Sequence, residues 1–397
     1  MKINNNIPAY RFQGYTDAWE LRKLGEVAKY RNGKAHEQSI VAEGDYVVIN
    51  SKFVSTGGVV EKFSSRQLEP LYKNEIAFVL SDIPNGKALS KTFLVDVDQK
   101  YTLNQRIAAI TPKESASFLN ELLNRNSYFL KFDNGVGQTN LAKDQVLEFN
   151  AFFPSLPEQE TIGTFFSTLD QHITLHQRKL DTLKEQKKTY LKLLFPAKGQ
   201  TKPALRFKGF EDDWEEVKLG EVCTIQGGNA WKSDSYSLTG EYLVVTIANV
   251  TGEYFIADKK GNRIDINPNE MQYVLKKGDI LISLTGNVGR VSKMTESKGV
   301  LNQRVGKLTT TANFEFIFSI LRTEKFENEM RLASQGAAQA NISNKDVLQY
   351  MILLPSLPEQ EAIGTFFQTL DQEIAQVEDK LASLKEMKKT LLHRIFV

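Results

Sequence analysis

The sequence predicts an α+β protein in which two α/β bodies are separated by two long helices that form an antiparallel coiled coil with a pseudo-twofold internal repeat. Residues 154–173 return as residues 355–374 with only three substitutions. A second segment, residues 8–27, returns in a more diverged form as residues 203–222. Two copies separated by about half the chain indicate a duplicated unit.

Each copy of the first repeat begins a helix with coiled-coil periodicity. Its apolar residues recur in alternating steps of four and three residues. The seam positions are Ile162, Phe166, Leu169, Ile173, His176, Leu180, Leu183, Lys187, Tyr190 and Leu194, and then Ile363, Phe367, Leu370, Ile374, Val377, Leu381, Leu384, Lys388, Leu391 and Ile395. We expect Lys187 and Lys388 to keep their stems in the seam and their ammonium groups in water.

The length of the linker predicts the direction of the second helix. About eight residues, from Phe195 to Pro203, span at most roughly 25–30 Å. A helix over residues 156–195 is about 60 Å long. The second helix can therefore pack along the first only in the antiparallel sense, with one body at each end of the pair. The predicted divisions are residues 1–154, 155–197, 198–355 and 356–397.

The two bodies are predicted to mix strands and helices without a regular βαβ alternation. Helices are expected over residues 117–129 and from Asn313 through Glu329. The predicted strands cover residues 46–49, 76–80, 92–95 and 106–110, and then 242–247, 280–283 and 304–308.

Composition and missing motifs exclude several classes of function. The chain has one cysteine, Cys223, so it can form neither an internal disulfide nor a thiolate zinc cluster. No apolar run is long enough for a membrane span and the start lacks a leader, so we expect a cytoplasmic protein. Nucleotide-binding glycine loops and a methyltransferase motif are missing, and His172 and His176 lack the glutamate of a zincin. We therefore predict no catalytic residue and no metal site.

The loops of the bodies suit recognition of DNA. Arginine commonly recognises guanine and asparagine adenine, while lysine, serine and threonine often contact phosphate. The candidates in loops are Asn50, Lys52, Ser55, Thr56, Asn229, Lys232, Thr285, Asn287 and Arg290. A further candidate is a trio that survives in both diverged bodies, Asn104, Gln105 and Arg106 in the first and Asn302, Gln303 and Arg304 in the second. Each trio could instead hold its body together.

Three repeated motifs resemble a known family. The first is Leu156-Pro-Glu-Gln-Glu160, repeated as Leu357-Pro-Glu-Gln-Glu361. The second is Trp19-Glu followed by Lys23-Leu-Gly-Glu-Val27, repeated as Trp214-Glu followed by Lys218-Leu-Gly-Glu-Val222. The third is the Leu-Asn-Gln-Arg pair. Together they resemble the DNA-specificity subunit of type I restriction–modification systems over nearly the whole chain. The resemblance implies two target recognition domains, each recognising half of an interrupted double-stranded DNA target, with the helices setting the spacer.

The resemblance also implies partner subunits, which would supply the chemistry that this chain lacks. Modification subunits would bring S-adenosylmethionine and methylate adenine, and restriction subunits would bring ATP, Mg and DNA cleavage. We expect two identical modification subunits to dock on repeated, exposed helix residues: Glu158, Gln159, Thr164 and Gln171 with Glu359, Gln360, Thr365 and Gln372. Common ancestry alone would also explain this repetition. The alternative function is a coiled-coil scaffold that binds proteins without recognising DNA.

Overall fold

A computed structural model describes residues 7–84, 86–335 and 340–396. The chain divides into two compact units. The first unit comprises Met1–Gln177 with Lys380–Val397, and the second comprises Arg178–Asp379. Each long helix is thus shared between the two units.

The first unit contains a mixed body followed by the start of a long helix. Its elements are β1 (Glu20–Lys23), α1 (Leu24–Val27), β2 (Ala28–Asn32), β3 (Ile40–Val41), β4 (Tyr46–Ile49), α2 (Ser51–Ser55), β5 (Phe63–Ser64), β6 (Ile76–Val79), β7 (Ser81–Asp82), β8 (Thr92–Leu94), β9 (Tyr101–Leu103), β10 (Ile107–Pro112), α3 (Ala116–Leu123), α4 (Ser127–Leu130), β11 (Thr139–Asn140), α5 (Lys143–Leu147), β12 (Asn150–Phe153) and the first part of α6 (Leu156–Leu193).

The second unit follows a similar order, but among the described residues it has no helix equivalent to α2 and no strand pair equivalent to β7-β11. Its elements are β13 (Glu215–Lys218), α7 (Leu219–Val222), β14 (Cys223–Gly227), β15 (Tyr242–Val245), β16 (Arg263–Ile264), β17 (Val274–Leu275), β18 (Ile280–Ser283), β19 (Val291–Lys293), β20 (Gly299–Leu301), β21 (Val305–Thr310), α8 (Phe314–Ile320), α9 (Glu324–Ala333), α10 (Asn344–Leu348), β22 (Met351–Leu354) and the first part of α11 (Leu357–Ile395), with short 3-10 turns at Ser233–Ser235 and Pro268–Tyr273.

One four-stranded sheet has the same strand order in both bodies, whereas a second sheet shares three strands and places its fourth strand at opposite edges. A four-stranded sheet has the order β2-β10-β6-β8 in the first unit and β14-β21-β18-β19 in the second. A further sheet has the order β3-β5-β4-β9 in one and β16-β15-β20-β17 in the other. In each unit an antiparallel pair, β1-β12 or β13-β22, joins the start of the body to its end just before the long helix. The duplication inferred from the sequence therefore extends to the variable bodies.

The start of each long helix packs into the core of its own unit. In the first unit Phe166 is fully buried in a cluster that contains Trp19 and Phe118. In the second unit Phe367 is fully buried with Trp214 and Phe316. Burying one such side chain stabilises the fold by about 1.5–3 kcal/mol. This burial explains why an aromatic residue recurs at this seam position.

Contacts inside each unit confirm the predicted antiparallel packing. In the first unit the Nζ atoms of Lys385 and Lys388 lie 3.2 Å from Gln177 and 2.7 Å from Asp170. In the second unit Lys187 Nζ lies 2.7 Å from Asp371, and Lys184 Nζ lies 2.6 Å from Glu378. Residue numbers rise along one helix as they fall along the other. The long helix predicted over residues 156–195 ends two residues early, at Leu193.

The two seam lysines were expected to place their ammonium groups in water. In the structure these groups are instead paired with carboxylates. The side chains of Lys187 and Lys388 are only about 15% exposed. Each pairs with an aspartate on the opposite helix, and the body adds a third charge to each pair. Glu121 contacts Lys388 at 2.9 Å, whereas Arg322 contacts Asp371 at 2.6 Å. Desolvation opposes ionisation of Asp371, but the charges of Arg322 and Lys187 outweigh it and lower the pKa of this carboxyl group.

Two long helices predicted in the bodies are each divided in two. The helix predicted over residues 117–129 ends at Leu123 and restarts at Ser127, because Arg125 adopts φ +56° and Asn126 caps the next turn. The helix that begins after Asn313 ends at Ile320, and Thr323 caps a second helix through Ala333. Local capping residues thus override the continuous apolar pattern.

The repeated aspartates provide a stability test with a matched control. Replacing Asp371 by alanine should lower the free energy of unfolding of the second unit by about 3–5 kcal/mol, because Lys187 and Arg322 would remain buried without a counterion. Replacing Asp170, whose side chain is 44% exposed, should cost less than about 1 kcal/mol. Hydrogen exchange during a urea titration would measure each unit separately.

The stabilisation that Asp371 contributes is expected to depend on pH. Because the folded state lowers the pKa of Asp371, its stabilisation is present above the unfolded carboxyl pKa of about 3.9 and is lost as the pH falls through the folded value. The difference between the wild type and Asp371→Ala should therefore shrink in acid. Equal losses for both variants at neutral pH would contradict this account.

Candidate nucleic-acid interface

A tight turn with the sequence Asn-Gln-Arg begins the longest strand of each body. In the first unit Asn104 Oδ1 accepts a hydrogen bond from Arg106 N at 3.4 Å, and the carbonyl of Asn104 accepts one from Ile107 N at 2.9 Å. Asn302 makes the same two bonds in the second unit, at 3.2 and 2.9 Å. The asparagine therefore holds the turn.

The other two residues of each turn are exposed in both units. These residues are Gln105 and Arg106 in the first unit and Gln303 and Arg304 in the second. The two alternatives for the trio thus separate by residue, since asparagine stabilises the body while glutamine and arginine are exposed. The exposed Gln105 donates a hydrogen bond from Nε2 to Glu37 at 3.1 Å. Glutamine and arginine can both form bidentate hydrogen bonds with base edges.

A glycine supports each turn, and this role was not predicted from the sequence. A Cβ atom on Gly33 would lie 2.0 Å from the carbonyl oxygen of Asn104, and one on Gly228 would lie 2.3 Å from that of Asn302. No side chain fits at either position without moving the turn. The signal that could have found these glycines is their equivalent spacing after the repeated opening segments.

Two other candidates, Asn229 and Thr285, lie beside the turn in the second unit. Asn229 is bridged to Asn302, and its carbonyl accepts a hydrogen bond from Gln303 N at 3.0 Å. Leu284 N donates to the carbonyl of Arg304 at 3.0 Å, which brings the neighbouring Thr285 to the same edge. Thr285 Oγ1 is buried and has no hydrogen-bond partner among the described residues.

The remaining candidates of the second unit lie in flanking loops. Asn287, which is exposed, and Arg290, which is half-buried, both belong to the loop between β18 and β19. Lys232 is exposed immediately before the 3-10 turn at Ser233–Ser235. No direct contact in the described residues joins Lys232 to the turn.

The loop candidates of the first unit have local structural roles. Asn50 Oδ1 accepts a hydrogen bond from Phe53 N at 2.9 Å and caps α2. The hydroxyl groups of Ser55 and Thr56 donate to the carbonyl of Lys52 at the end of that helix. Only Lys52 is exposed. Asn104 N donates to the carbonyl of Ile49, so the start of α2 lies beside the turn.

Four of the eight residues expected to be exposed for partner docking are buried, so that expectation is wrong for Glu158, Gln159, Glu359 and Gln360. Arg11 donates two hydrogen bonds of 2.7 Å to the carboxylate of Glu158, and Arg206 does the same for Glu359. Charge-assisted bidentate pairs of this kind fix geometry strongly. Each pair fastens the opening segment of a unit to the start of its long helix.

The two buried glutamines fasten the same helix starts to the bodies. Gln159 Nε2 donates to Glu114 at 2.6 Å and to the carbonyl of Pro154 at 3.0 Å. Gln360 Oε1 accepts from Asn313 N at 3.0 Å. The other four docking candidates, Thr164, Gln171, Thr365 and Gln372, are exposed.

The described residues contain neither a metal cluster nor a spanning helix. Within residues 7–84, 86–335 and 340–396, no three histidine, cysteine or acidic side chains are grouped so that they could hold a metal ion. His176 Nδ1 is 2.8 Å from the carbonyl of His172, one turn earlier. Cys223 is buried, and burial raises the pKa of its thiol. No helix in this part of the chain is long and apolar enough to cross a membrane.

The doubled architecture has a counterpart among known proteins. The family model of the type I restriction modification DNA specificity domain matches residues 16–185 and again residues 211–386. The chain belongs to this family. It is a DNA-specificity subunit with two specificity domains, is not an enzyme by itself, and works with DNA and partner subunits.

Two curated relatives and one solved structure agree with this assignment. The specificity subunit of the type I restriction enzyme MjaVIII from Methanocaldococcus jannaschii is 26% identical, covering 94% of this chain and 91% of the relative. The putative MjaX specificity subunit from the same organism is 24% identical, covering 94% and 92%. The crystal structure of a type I S subunit from M. genitalium has the same fold, with a TM-score of 0.71 at 18% identity over 98% and 99% of the two chains.

The repeated turns predict unit-specific effects on DNA recognition. Arg106→Ala should weaken recognition of one half of the specificity subunit's target by about 1–3 kcal/mol, and Arg304→Ala should do so for the other half. The measurement is binding of the assembled complex to duplexes in which each half is altered separately. Asn104→Ala should instead destabilise the first unit. An equal effect of either arginine variant on both halves would contradict the assignment.

Proposed function

We propose that each unit recognises one half of a two-part DNA target through the edge that carries its Asn-Gln-Arg turn. The observation that supports this most directly is the exposed glutamine and arginine on the same glycine-supported turn in two bodies that otherwise diverge. Differences in the surrounding loops would then give the two halves different sequences. Lys52 would contribute in the first unit, and Lys232, Asn287 and Arg290 in the second.

The affinity for DNA would come from local groups of cations and from partner subunits. The whole chain has a net charge of only +2, so a general electrostatic attraction to phosphate is weak. Salt dependence of binding would then report the few phosphate contacts that are made.

We further propose that the helix pair sets the spacer between the two half-sites. Each long helix is shared by both units, and its seam residues are buried or half-buried throughout the described part. A lysine–aspartate pair joins the two antiparallel helices within each unit. A helix rises 1.5 Å per residue, so its length determines a distance directly.

The chemistry of methylation and cleavage is assigned to partners. In this proposal two modification subunits bring S-adenosylmethionine to the target adenines, and restriction subunits bring ATP and Mg, so the specificity subunit itself needs no cofactor and acts in the cytoplasm. The exposed residues Thr164 and Gln171, with their copies Thr365 and Gln372, would form two equivalent docking positions.

Lengthening both helices tests the spacer. Seven residues inserted between Gln177 and Arg178, and seven between Asp379 and Lys380, preserve the heptad pattern and add about 10.5 Å to each helix. The spacer of the methylated target should grow by about three base pairs, given about 3.4 Å per base pair. Single-molecule sequencing of methylated adenine would measure it.

An insertion in only one helix serves as the control, because it mismatches the seam and should abolish methylation. An unchanged spacer in the doubly lengthened variant would contradict the proposal. Intact complexes without any salt-dependent binding to duplex DNA would favour the alternative of a protein-binding scaffold.

The exposed repeated threonines test the docking positions. Thr164→Arg combined with Thr365→Arg should reduce co-purification of the modification subunits at least tenfold, because both equivalent positions would carry a bulky charge. Ser167→Arg is the matched control, since residue 167 is exposed but differs from Gln368 in the other copy. Equal co-purification of both variants would remove these residues from the interface.

A further inference from the structure

A short segment near the end of each body repeats a pattern to which the proposed function assigns no role. Gln138-Thr-Asn-Leu141 in the first unit corresponds to Gln339-Ala-Asn-Ile342 in the second. Both segments precede the short helix, α5 or α10, that comes before the last strand of the body. Gln339 lies outside the described residues. The asparagine is common to both segments although the bodies around them have diverged.

Hydrogen bonds join this segment to the strand end that also holds the Asn-Gln-Arg turn. In the first unit Leu80 N donates to the carbonyl of Arg106 at 3.0 Å, and the carbonyl of Leu80 accepts from Leu141 N at 2.8 Å. Two such bonds, and the roughly 3 Å between the N and O atoms of one residue, place Arg106 O and Leu141 N within about 10 Å of each other. Asn140, the residue before Leu141, pairs with Ser81.

The second unit makes the same connection. Leu284 N donates to the carbonyl of Arg304 at 3.0 Å, and the carbonyl of Leu284 accepts from Ile342 N at 2.9 Å. Asn341, the residue before Ile342, is bridged to Thr285. In each body, therefore, one leucine at the end of a strand holds both the turn and the segment that carries the repeated asparagine.

The repeated asparagine is exposed in both units. Asn140 is exposed between the buried residues Thr139 and Leu141. Asn341 is exposed immediately before the buried Ile342. Neither asparagine side chain forms a hydrogen bond with another residue in the described part of the chain. Contacts among these residues therefore do not account for an asparagine at both positions.

The neighbouring glutamine of the first segment has a structural role instead. Gln138 Nε2 donates to Ser81 Oγ at 2.6 Å, which fastens the segment to the strand end. Ser51 Oγ donates to the carbonyl of Ser81 at 3.4 Å, so α2 with the exposed Lys52 meets the same point. The exposed groups around this strand end thus include amide and cationic side chains, which are the types that contact base edges and phosphates.

Asparagine has the donor and acceptor pattern that identifies adenine. Its side-chain NH₂ group donates to N7 of the base while its oxygen accepts from the N6 amino group. Successive bases are about 3.4 Å apart, so a separation of about 10 Å corresponds to about three base pairs. An edge that carries both Arg106 and Asn140 can therefore contact two positions of one half-site.

We propose that Asn140 and Asn341 are specificity-determining residues, each contacting an adenine edge within about three base pairs of the base that the arginine of its unit contacts. The inference rests on the proposed function, because it places the asparagine on the edge that we assign to DNA. It adds a second recognised position to each half-site, contacted by a different segment of the chain.

Replacing each asparagine by alanine tests the proposal in the complete assembled complex. Equilibrium binding is measured for the mapped target duplex and for variants of it with one base pair changed. Asn140→Ala should lower the preference for adenine at one position by about fivefold or more, in the half-site that Arg106→Ala also affects. Asn341→Ala should do so in the other half-site. The matched control is Asn150→Ala, an exposed position on β12 away from this strand end, which should bind as the wild type.

The variant Asn140→Asp keeps the size of the side chain and separates base recognition from a structural role. A carboxylate accepts from the N4 amino group of cytosine, so the preferred base at the same position should change from adenine to cytosine. Uniform weakening on all duplexes, or an unchanged preference at every position, would overturn the proposal. If Arg106→Ala still reduces discrimination in its half-site, only the role of the asparagine is rejected. If it does not, the proposed function is rejected as well.

Discussion

In the second unit, a lysine that reaches a buried aspartate across the helix seam fixes the register of the helix pair. Asp371 is 1% exposed and Lys187 is 15% exposed, so a slip of one heptad would leave a buried charge without its partner. A buried polar group is a well-attested device for specifying register. The register in turn determines which body residue reaches the pair, and in the second unit that residue is Arg322.

The same contacts recur at the start and end of each body, and we call this set of contacts the frame. Arg11 with Glu158, and Arg206 with Glu359, tie the opening segment to the helix start, while an antiparallel strand pair closes each body beside it. Between these fixed points the loops vary. Contacts within each unit therefore account for four of the eight repeated helix residues, including the glutamates that looked like docking residues.

The fold was predictable where apolar residues recur with a regular spacing along the sequence. The alternation of four and three residues gave both long helices, and the short linker gave their antiparallel packing. The burial of Glu158 was not predictable, because its partner Arg11 lies 147 residues away and a heptad pattern describes only neighbours on one helix. The division of the helix near Arg125 was missed because apolar spacing continues across a residue whose left-handed backbone ends the helix.

For the candidate site, the repeated trio could be recognised in the sequence. Only the hydrogen bonds of Asn104 in the structure distinguish this supporting residue from the exposed Gln105 and Arg106.

The duplicated frame nevertheless produces two units that are not equivalent. Each contains the same lysine–aspartate pair, but the added residue is Glu121 in the first and Arg322 in the second, so the clusters carry opposite formal net charge. Glu121 pairs with the lysine of its cluster at 2.9 Å, whereas Arg322 pairs with the aspartate of its cluster at 2.6 Å. A chain that carries different loops for two half-sites also needs its ends distinguished by any partner that must act on one side. The charge beside an otherwise repeated contact differs between the two units, so it offers such a partner one means of distinguishing them.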